Sequence, residues 1–514
     1  MMTTLSETTP LLAAAIDIGS NAMRMRVATV GEDGHIKVIF AHREAVRLGQ
    51  DAFTTGVLSE EIMVRTEEAF ASFRKHLDRY PVEKVRVIGT SALRDASNAE
   101  QLIARIREKF DLNIEIITGD EEGSIIHHAI YQRIPQIRKK RVLLIDIGGG
   151  SVEISLCVRG TIVALESFRM GTVRLLNLFH AADNPEAFHH MLNEYIATMR
   201  DKVHQEIAHH KIDCCVGTGG NIECLAELGV TLLEQHSDDR LDYSTLDHIC
   251  DRLESMPYQD RIDRLKLRPD RADVIVPAAL VVKSMMELVG DVPLLVPGVG
   301  LAEGVLVDLL APHLVDVTTM KRQAIGWAKS MAKKFHADLD YAKLVRSAAK
   351  SLFDQLQPLH QLGRRDRLLL QVAAICHEIG VYVRPNSHHR HAAYLIDASP
   401  MVGLTQDEKS MVAQMVRSQR KSFPDEGSWR LASFEPQDRE RVIKLSLLLR
   451  LAIAVNRERR GSVQSICCSI DEQGVTFTLI GEGSLELELW SIQKLDAIFQ
   501  QVLDTPIAKI SISR

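Results

Sequence analysis

Near its start the chain carries three short stretches in which apolar residues alternate with polar ones or run together. They are Leu11–Ile18 (LLAAAIDI), Ala22–Val30 (AMRMRVATV) and Ile36–Ala45 (IKVIFAHREA), separated by Gly-Ser-Asn and Gly-Glu-Asp-Gly. This pattern predicts three successive strands joined by tight turns. The period then changes. Apolar residues recur at helical spacing over residues 58–79, followed by a strand at Val85–Gly89 and a helix from about Asp95. A strand at Ile114–Ile117 and a helix from about Asp120 complete the order β-β-β-α-β-α-β-α.

From Arg141 the pattern starts again. RVLLIDI, SVEISLCV and TIVALESF read as three strands, then helical segments lead to IDCCVG, VPLLVP and a helix from about Leu301. The repeat is marked by Asp-Ile-Gly at 17–19 and again at 146–148. A duplicated unit of this kind implies two α/β lobes facing each other across a cleft, the actin-like (RNase H-like) architecture. Beyond about residue 312 the periodicity is helical, as in YAKLVRSAAKSLFDQL and RVIKLSLLLRLAIAVN. The tail has strand runs (SVQSICCSI, GVTFTLIG, LELELW) around a helix, SIQKLDAIFQQVL. The expected division is lobe I over 1–130, lobe II over 131–311, an all-helical domain over 312–460 and a small α+β module over 461–514.

Bulk composition narrows the class. At 514 residues the chain has length for three to four domains, and 46% apolar with 25% charged residues is ordinary globular composition. The net charge of −6 does not suit a nucleic-acid polymer, so any anion site must be built locally. Eight scattered cysteines lack metal-ligand spacing and fit reduced thiols in a cytoplasmic protein. The opening MMTTLSETTPLLAAAIDIGS has no basic n-region, so no signal peptide is expected, and no apolar run is long enough to span a bilayer.

The chemistry sits in the turns. Asp17-Ile-Gly-Ser-Asn21 joins two strands through small residues. Glycine lets the backbone approach an anion, and successive N–H groups can converge on one phosphate oxygen. Asp17, at the end of a buried strand, is placed to hold water on a metal ion. Alone, this loop reads better as a plain hairpin than as an anion site. Asp146-Ile-Gly-Gly-Gly-Ser151 repeats the same chemistry, with Glu153 on the same strand face as Ser151. Gly148, Gly149 and Gly150 suit a close approach to a polyphosphate, and Asp146 and Glu153 are candidate Mg²⁺ ligands, directly or through water. A third loop, Gly217-Thr-Gly-Gly-Asn221, follows a strand and opens a helix, so Gly219 and Gly220 lie where an anion is favoured.

Two further features point to hydrolysis. Gly119-Asp-Glu-Glu-Gly-Ser124 opens the helix that links the two lobes. A carboxylate there would serve as the base that water attack on a phosphoanhydride needs, and the residues alone do not choose between Glu121 and Glu122. Arg94 follows a short strand and offers a bidentate grip on phosphate. Arg138-Lys-Lys-Arg141 reads as a solvated strand start.

Together, IDIGSNAMRM, GTSALRDASN, ITGDEEGSI, LLIDIGGGSVEIS, FRMGTVRL and GTGGNIECL resemble the exopolyphosphatase/guanosine pentaphosphate phosphohydrolase (Ppx/GppA) family over nearly the whole chain. The resemblance implies that Glu122 is the catalytic base and Arg94 a phosphate contact. It implies metal- and phosphate-facing roles for Asp146, Gly148, Gly149, Gly150, Ser151 and Glu153, with Asp17, Ser20 and Asn21 opposite. It further implies Mg²⁺-dependent release of terminal phosphate from inorganic polyphosphate or pppGpp, with a monovalent cation as an additional candidate, and a homodimer. One block departs from the family: Val296-Pro-Gly-Val-Gly-Leu-Ala-Glu-Gly304 has Ala302 where an arginine is usual and lacks the Ser-Asp pair.

The helical domain is similar to metal-dependent HD phosphohydrolases. Cys376-His-Glu-Ile-Gly380 stands at their His-Asp, His388-His-Arg-His391 follows, and Ile453 stands where a late metal-binding aspartate belongs. An incomplete ligand set reads as a relic metal site, with Arg417, Arg420 and Lys421 left to guide an anionic chain. The leading expectation is an exopolyphosphatase, with pppGpp 5′-phosphohydrolase as alternative. An actin-like kinase and a non-catalytic (p)ppGpp or polyphosphate sensor are readings from other classes.

Overall fold

In the computed structural model, strand β1 (Leu12–Ile18) is buried along its length, and its two faces have different tasks. Ala14, Ile16 and Ile18 enter a core with Met23 and Met25 of β2 (Met23–Val30). Phe70 and Phe73 of the helix Glu60–Leu77 and Leu102 and Ile106 of the helix Ala99–Phe110 close that core. Ala13, Ala15 and Asp17 alternate onto the opposite face. The alanines are fully buried there, against the helix Leu301–Leu310. With β3 (Ile36–Glu44), β4 (Val82–Gly89) and β5 (Ile114–Ile116), the sheet runs β3-β2-β1-β4-β5. Its first three strands are antiparallel and β1, β4 and β5 are parallel. Two short helices, Leu48–Thr54 and Ser91–Asp95, were not legible from periodicity, which needs more than two turns to declare itself.

The second sheet repeats the first. Strands β6 (Arg141–Ile147), β7 (Val152–Val158), β8 (Thr161–Phe168), β9 (Cys214–Thr218), β10 (Arg240–Leu241) and β11 (Leu294–Leu295) lie in the order β10-β11-β9-β6-β7-β8. Apart from β10 at the edge, this is the order of the first sheet. Leu143, Ile145 and Ile147 enter the second core, so Asp146 points to the opposite face, as Asp17 does. The register sharpens the duplication. Asp17 lies opposite Arg24 and beside Ile88, whereas Asp146 lies opposite Glu153 and beside Thr218.

Two helices cross between the sheets. Gly119–Arg133 follows β5 and packs on β7 and β8. Leu301–Leu310 follows β11 and returns to β1 and β2. They pack on each other so closely that a Cβ at Gly304 would lie 2.2 Å from the carbonyl oxygen of Ile125.

The structure describes residues 11–31, 35–179, 185–208, 210–233, 235, 237–310, 317–399, 403–420, 423–424 and 431–513. The boundary expected near 312, the first residues of the opening segment and Lys421 lie outside them. The chain divides into two compact units, Met1–Val317 and Thr318–Arg514. In the second, the helices Leu339–Gln355, Arg364–Cys376, Gln406–Arg417 and Pro436–Ala454 are followed by a sheet ordered β12-β13-β14 (Val463–Asp471, Gly474–Gly481, Ile507–Ser513). Phe477 and Phe499 of the tail share one core with Leu369 and Leu448 of the helices. The run LELELW, expected as a strand, is a helix, Glu486–Gln493. Its buried positions are Leu485, Glu488 and Ile492, a helical spacing, while Leu487 and Trp490 face solvent. Among the described residues no helix is long and apolar enough to cross a membrane.

The crossing of the two helices yields a stability prediction. Helix propensity alone favours alanine over glycine by about 1 kcal/mol. At Gly304 the added methyl would meet backbone, which has no rotamer to escape into, and overpacking of this kind costs about 1–3 kcal/mol. Gly304→Ala is expected to lower the thermal midpoint of the first unit, measured by circular dichroism. A raised midpoint would show that the helices part without cost.

Candidate active site

The duplicated loops meet each other. A Cβ at Gly149 would lie 3.1 Å from the backbone nitrogen of Asn21, and one at Gly150 would lie 2.1 Å from the Ser91 hydroxyl oxygen. Any side chain at either position would drive the two loops apart, which is why the chain needs glycine there. The second loop is held from behind by the helix Thr172–Leu178. The amides of Thr172 and Val173 donate to the carbonyls of Gly148 and Gly149 at 3.1 and 2.8 Å, and Arg174 Nε donates to that of Gly150 at 2.9 Å. The Gly148 amide closes the turn by donating to the Ser151 carbonyl at 3.0 Å, and with the carbonyls occupied the loop has its remaining amides to offer a ligand.

The duplication is symmetric in backbone and asymmetric in charge. In the first sheet Asp17 faces a cation, with Arg24 3.6 Å away. In the second, the matching position is Glu153, and Glu122 joins it from the crossing helix. Ligand oxygens of Glu122, Asp146 and Glu153 all lie within 4.8 Å of one another. Thr218 Oγ1 donates to Asp146, and Ser167 Oγ donates to Glu153 at 2.7 Å. Arg94 donates to the Ile117 carbonyl at 2.5 Å and reaches Glu122 at 3.3 Å.

Two guanidiniums, Arg24 and Arg94, do not balance the four carboxyls Asp17, Glu122, Asp146 and Glu153. Burial, reinforced by the neighbouring Asp146, pushes the Glu153 carboxyl up to about 7. Burial likewise raises Asp17 to about 6 against the opposing pull of Arg24. Burial and then Glu153 raise Glu122 well above the usual range, and burial raises Asp146. Oδ1 of Asp17 and Oε2 of Glu153 are buried with no hydrogen-bond partner. Carboxylates converging from two strands and a helix, with Glu153 Oε2 unpaired among them, fit a hard divalent cation.

The two glutamates left open by the sequence have separate surroundings. Glu121 is the last member of a capping box: its Oε2 accepts from the Thr118 amide at 2.9 Å, and Thr118 Oγ1 accepts from its own amide at 3.2 Å. Glu122, one residue on, is 7% exposed and borders a cavity of about 90 Å³. The cavity has room for a small anion and not for a whole nucleotide, since drug-sized ligands occupy pockets of about 300–1,000 Å³. The lobes are tied across it by Arg169 and Arg174 to Asp95, each at 2.6 Å, by Arg47 to Asp273 at 2.7 Å, and by Arg43 to Asp270. Asn21 Nδ2 donates to the Asp270 carbonyl at 2.9 Å.

Of the residues singled out from sequence, Asp17, Ser20, Asn21, Glu122, Asp146, Gly148, Gly149, Ser151, Gly219 and Gly220 line this cavity. Arg94, Gly150 and Glu153 do not. Arg94 contacts Glu122, Gly150 packs on Ser91 and Phe53, and Glu153 is bonded to Ser167. The lining also holds Arg24, Ser91, Thr172 and Arg271, to which the sequence assigned no role, and Asn221, which it showed only as the end of the third loop. Arg24 was within reach, because the hairpin that opposes Asp146 to Glu153 opposes Asp17 to Arg24. Arg271 gave no local signal. It arrives some 120 residues after the second loop and is fixed by Asn221, whose Oδ1 accepts its NH1 at 2.6 Å. In the altered block Ala302 is buried, while Glu303 accepts from the Gly300 amide at 2.9 Å and pairs with Arg26.

Residues 27–313 match the Ppx/GppA phosphatase family, and residues 326–488 match domain III of Ppx/GppA phosphatases. The chain is 28% identical over 479 residues to a guanosine-5′-triphosphate,3′-diphosphate pyrophosphatase of Aeromonas hydrophila, covering 91% of this chain and 92% of that one. Among solved structures it is similar to an exopolyphosphatase from Cytophaga hutchinsonii, with TM-score 0.55, 26% identity, and 59% of this chain and 98% of that one covered. A Ppx/GppA family member from Aquifex aeolicus gives TM-score 0.51 at 27% identity with the same coverage. These two likenesses agree with the paired sheets and crossing helices in assigning an actin-like fold.

The raised carboxylates predict a pH dependence. The Glu153 carboxyl rises from its ordinary 4.5 to about 7 on folding, so between those values the folded protein holds a proton that the unfolded chain has released. Stability from this group is fully present below 4.5 and is lost as pH rises through about 7. A bound divalent cation favours the charged form and offsets the loss. Melting temperature in chelator is therefore expected to fall between pH 5 and pH 7.5, and added Mg²⁺ is expected to raise it more at pH 7.5 than at pH 5. Equal shifts at the two pH values would contradict a carboxylate-held cation.

Proposed function

The chain belongs to the Ppx/GppA phosphatase family, and on that premise we propose that it is an exopolyphosphatase, removing the terminal phosphate of inorganic polyphosphate by water attack. The observation that carries this reading is the buried carboxylate beside a cavity sized for one small anion, Glu122 at its wall. A chain end threads into such a space where a bulky head group does not.

Glu122 acts as the base. Its raised affinity for a proton suits it to take one from water near neutral pH. As the proton leaves, the water oxygen bonds to the terminal phosphorus and the bridging P–O bond breaks, giving orthophosphate and a chain shorter by one unit. The Arg94 guanidinium steadies Glu122 and lies ready for charge on the transferred group. Amides of Gly149 and Ser151 face the phosphate from one lobe, with Ser20 and Asn21 opposite. Gly219 and Gly220, with Arg24 and Arg271, take the next charges along the chain. Asp146 and Glu153 would hold Mg²⁺, with Asp17 as a further carboxylate, and the ion would supply positive charge against the phosphoryl oxygens. The eight free cysteines suit a reducing, cytoplasmic setting.

A second reading, pppGpp 5′-phosphohydrolase, is favoured by the likeness to the guanosine-5′-triphosphate,3′-diphosphate pyrophosphatase of Aeromonas hydrophila, which matches this chain nearly end to end. It uses the same hydrolytic groups and requires the lobes to part around the nucleotide.

Phosphate release from long-chain polyphosphate and from pppGpp, with Mg²⁺, separates these readings. Glu122→Gln is expected to slow release about 10²–10⁴-fold, the usual range for loss of a general base, with substrate binding retained. Undiminished release would remove Glu122 from the role of base. Release from pppGpp alone would replace the first reading with the second, and release from neither would make the chain a sensor.

A further inference from the structure

A separate cavity lies wholly within the second unit, about 620 Å³ in volume, where several segment ends converge. His377 follows the helix Arg364–Cys376, and His388 opens the helix His388–Asp397. Arg420 follows the helix Gln406–Arg417, and Arg457 and Arg459 follow the helix Pro436–Ala454. The cavity has a buried floor and an exposed rim. His377 and His388 are 2% and 7% exposed, whereas all three arginines are exposed.

The floor presents lone pairs. His377 Nδ1 lies 2.8 Å from the Ala374 carbonyl, which can only accept, so the ring hydrogen sits on Nδ1. Its Nε2 is left as an acceptor, buried and with no partner. His388 Nδ1 is also buried with no partner. Burial holds both rings near 4, so they stay neutral at physiological pH. Gln419 fixes the floor by donating to the His377 carbonyl at 2.7 Å.

The rim is cationic. Three arginines face two carboxylates, Asp338 and Glu378, and Glu378 is already paired with Arg459. Arg459 also lies over the Tyr341 ring, 4.3 Å from its centroid. A metal ion fits poorly among guanidiniums, with Ile453 in the lining and the nearest glutamate engaged. An anion suits the rim. A bare phosphate chain, which carries no hydrogen to donate at neutral pH, would leave the two histidine lone pairs unmet, and unmet buried acceptors cost free energy.

We propose that this cavity binds a ribonucleotide, its phosphate held at the Arg420, Arg457 and Arg459 rim and its hydroxyl or amino hydrogens donated to His377 Nε2 and His388 Nδ1. The volume lies within the range of small-molecule sites, about 300–1,000 Å³. The site stands independently of the cleft in the first unit and of what that cleft hydrolyses.

Calorimetric titration of the full chain with GMP, AMP and inorganic tripolyphosphate tests the proposal. Arg457→Ala changes an exposed side chain, and it is expected to weaken nucleotide binding about tenfold or more, as loss of charge-assisted bonds does. His377→Ala is expected to do the same, with melting curves confirming a folded chain. Tripolyphosphate affinity and phosphate release are expected to stay within about twofold of wild type, as for sites that share no partners. Absence of nucleotide binding at millimolar concentration, or nucleotide affinity unchanged in the arginine variant, would overturn the site. Parallel loss of tripolyphosphate binding would overturn its assignment to a nucleotide.

Discussion

Buried negative charge without a matching cation is the constraint around which the first unit is organised. Glu122, Asp146 and Glu153 come within 4.8 Å of one another in a region closed to solvent, with Arg94 as the near counter-charge. Bringing carboxylates together out of water is unfavourable, and a fold accepts it where a ligand supplies the missing charge. Two sheet ends, a crossing helix and the loop glycines are all arranged to make that approach unavoidable. Burial first, and the neighbouring carboxylates second, raise the proton affinity of Glu122 and Glu153.

The duplication shows how one chain builds such a site from a repeated part. Both halves place an aspartate at the end of their first strand, on the face away from the core. At the matching hairpin position one half has Arg24 and the other Glu153. One lobe therefore tempers its carboxylate, and the other adds a second and borrows a third from the crossing helix. The lobes are joined by loop contact at Gly149 and Gly150 and by ion pairs at Asp95 and Asp273. These ties are part-buried ion pairs and loop contacts at the cleft rather than core packing, so opening for substrate does not require breaking a core.

Much of this was legible in the sequence, for reasons that can be named. Strands were readable because alternation and glycine turns are local signals, and the second Asp-Ile-Gly exposed the duplication. The glutamate pair was visible as chemistry, but its division of labour was not. Which of Glu121 and Glu122 caps the helix and which faces the cavity depends on the helix phase set by Thr118. Arg271 was out of reach because its position depends on a distant contact with Asn221. LELELW misled because its alternation mimics a strand, while burial follows Leu485, Glu488 and Ile492 around a helix. The helical region carried a relic metal motif in its sequence, and only the fold showed neutral histidines under an arginine rim.

The central claim, that the carboxylate cluster is held unbalanced for a cation, is tested most directly by counting bound Mn²⁺ by electron paramagnetic resonance, alongside melting in chelator. The account predicts one ion per chain in the wild type and none in Glu153→Gln, with the variant melting at a higher temperature than the wild type once metal is removed. Unchanged Mn²⁺ binding in Glu153→Gln, or a lower melting temperature of its metal-free form, would contradict it.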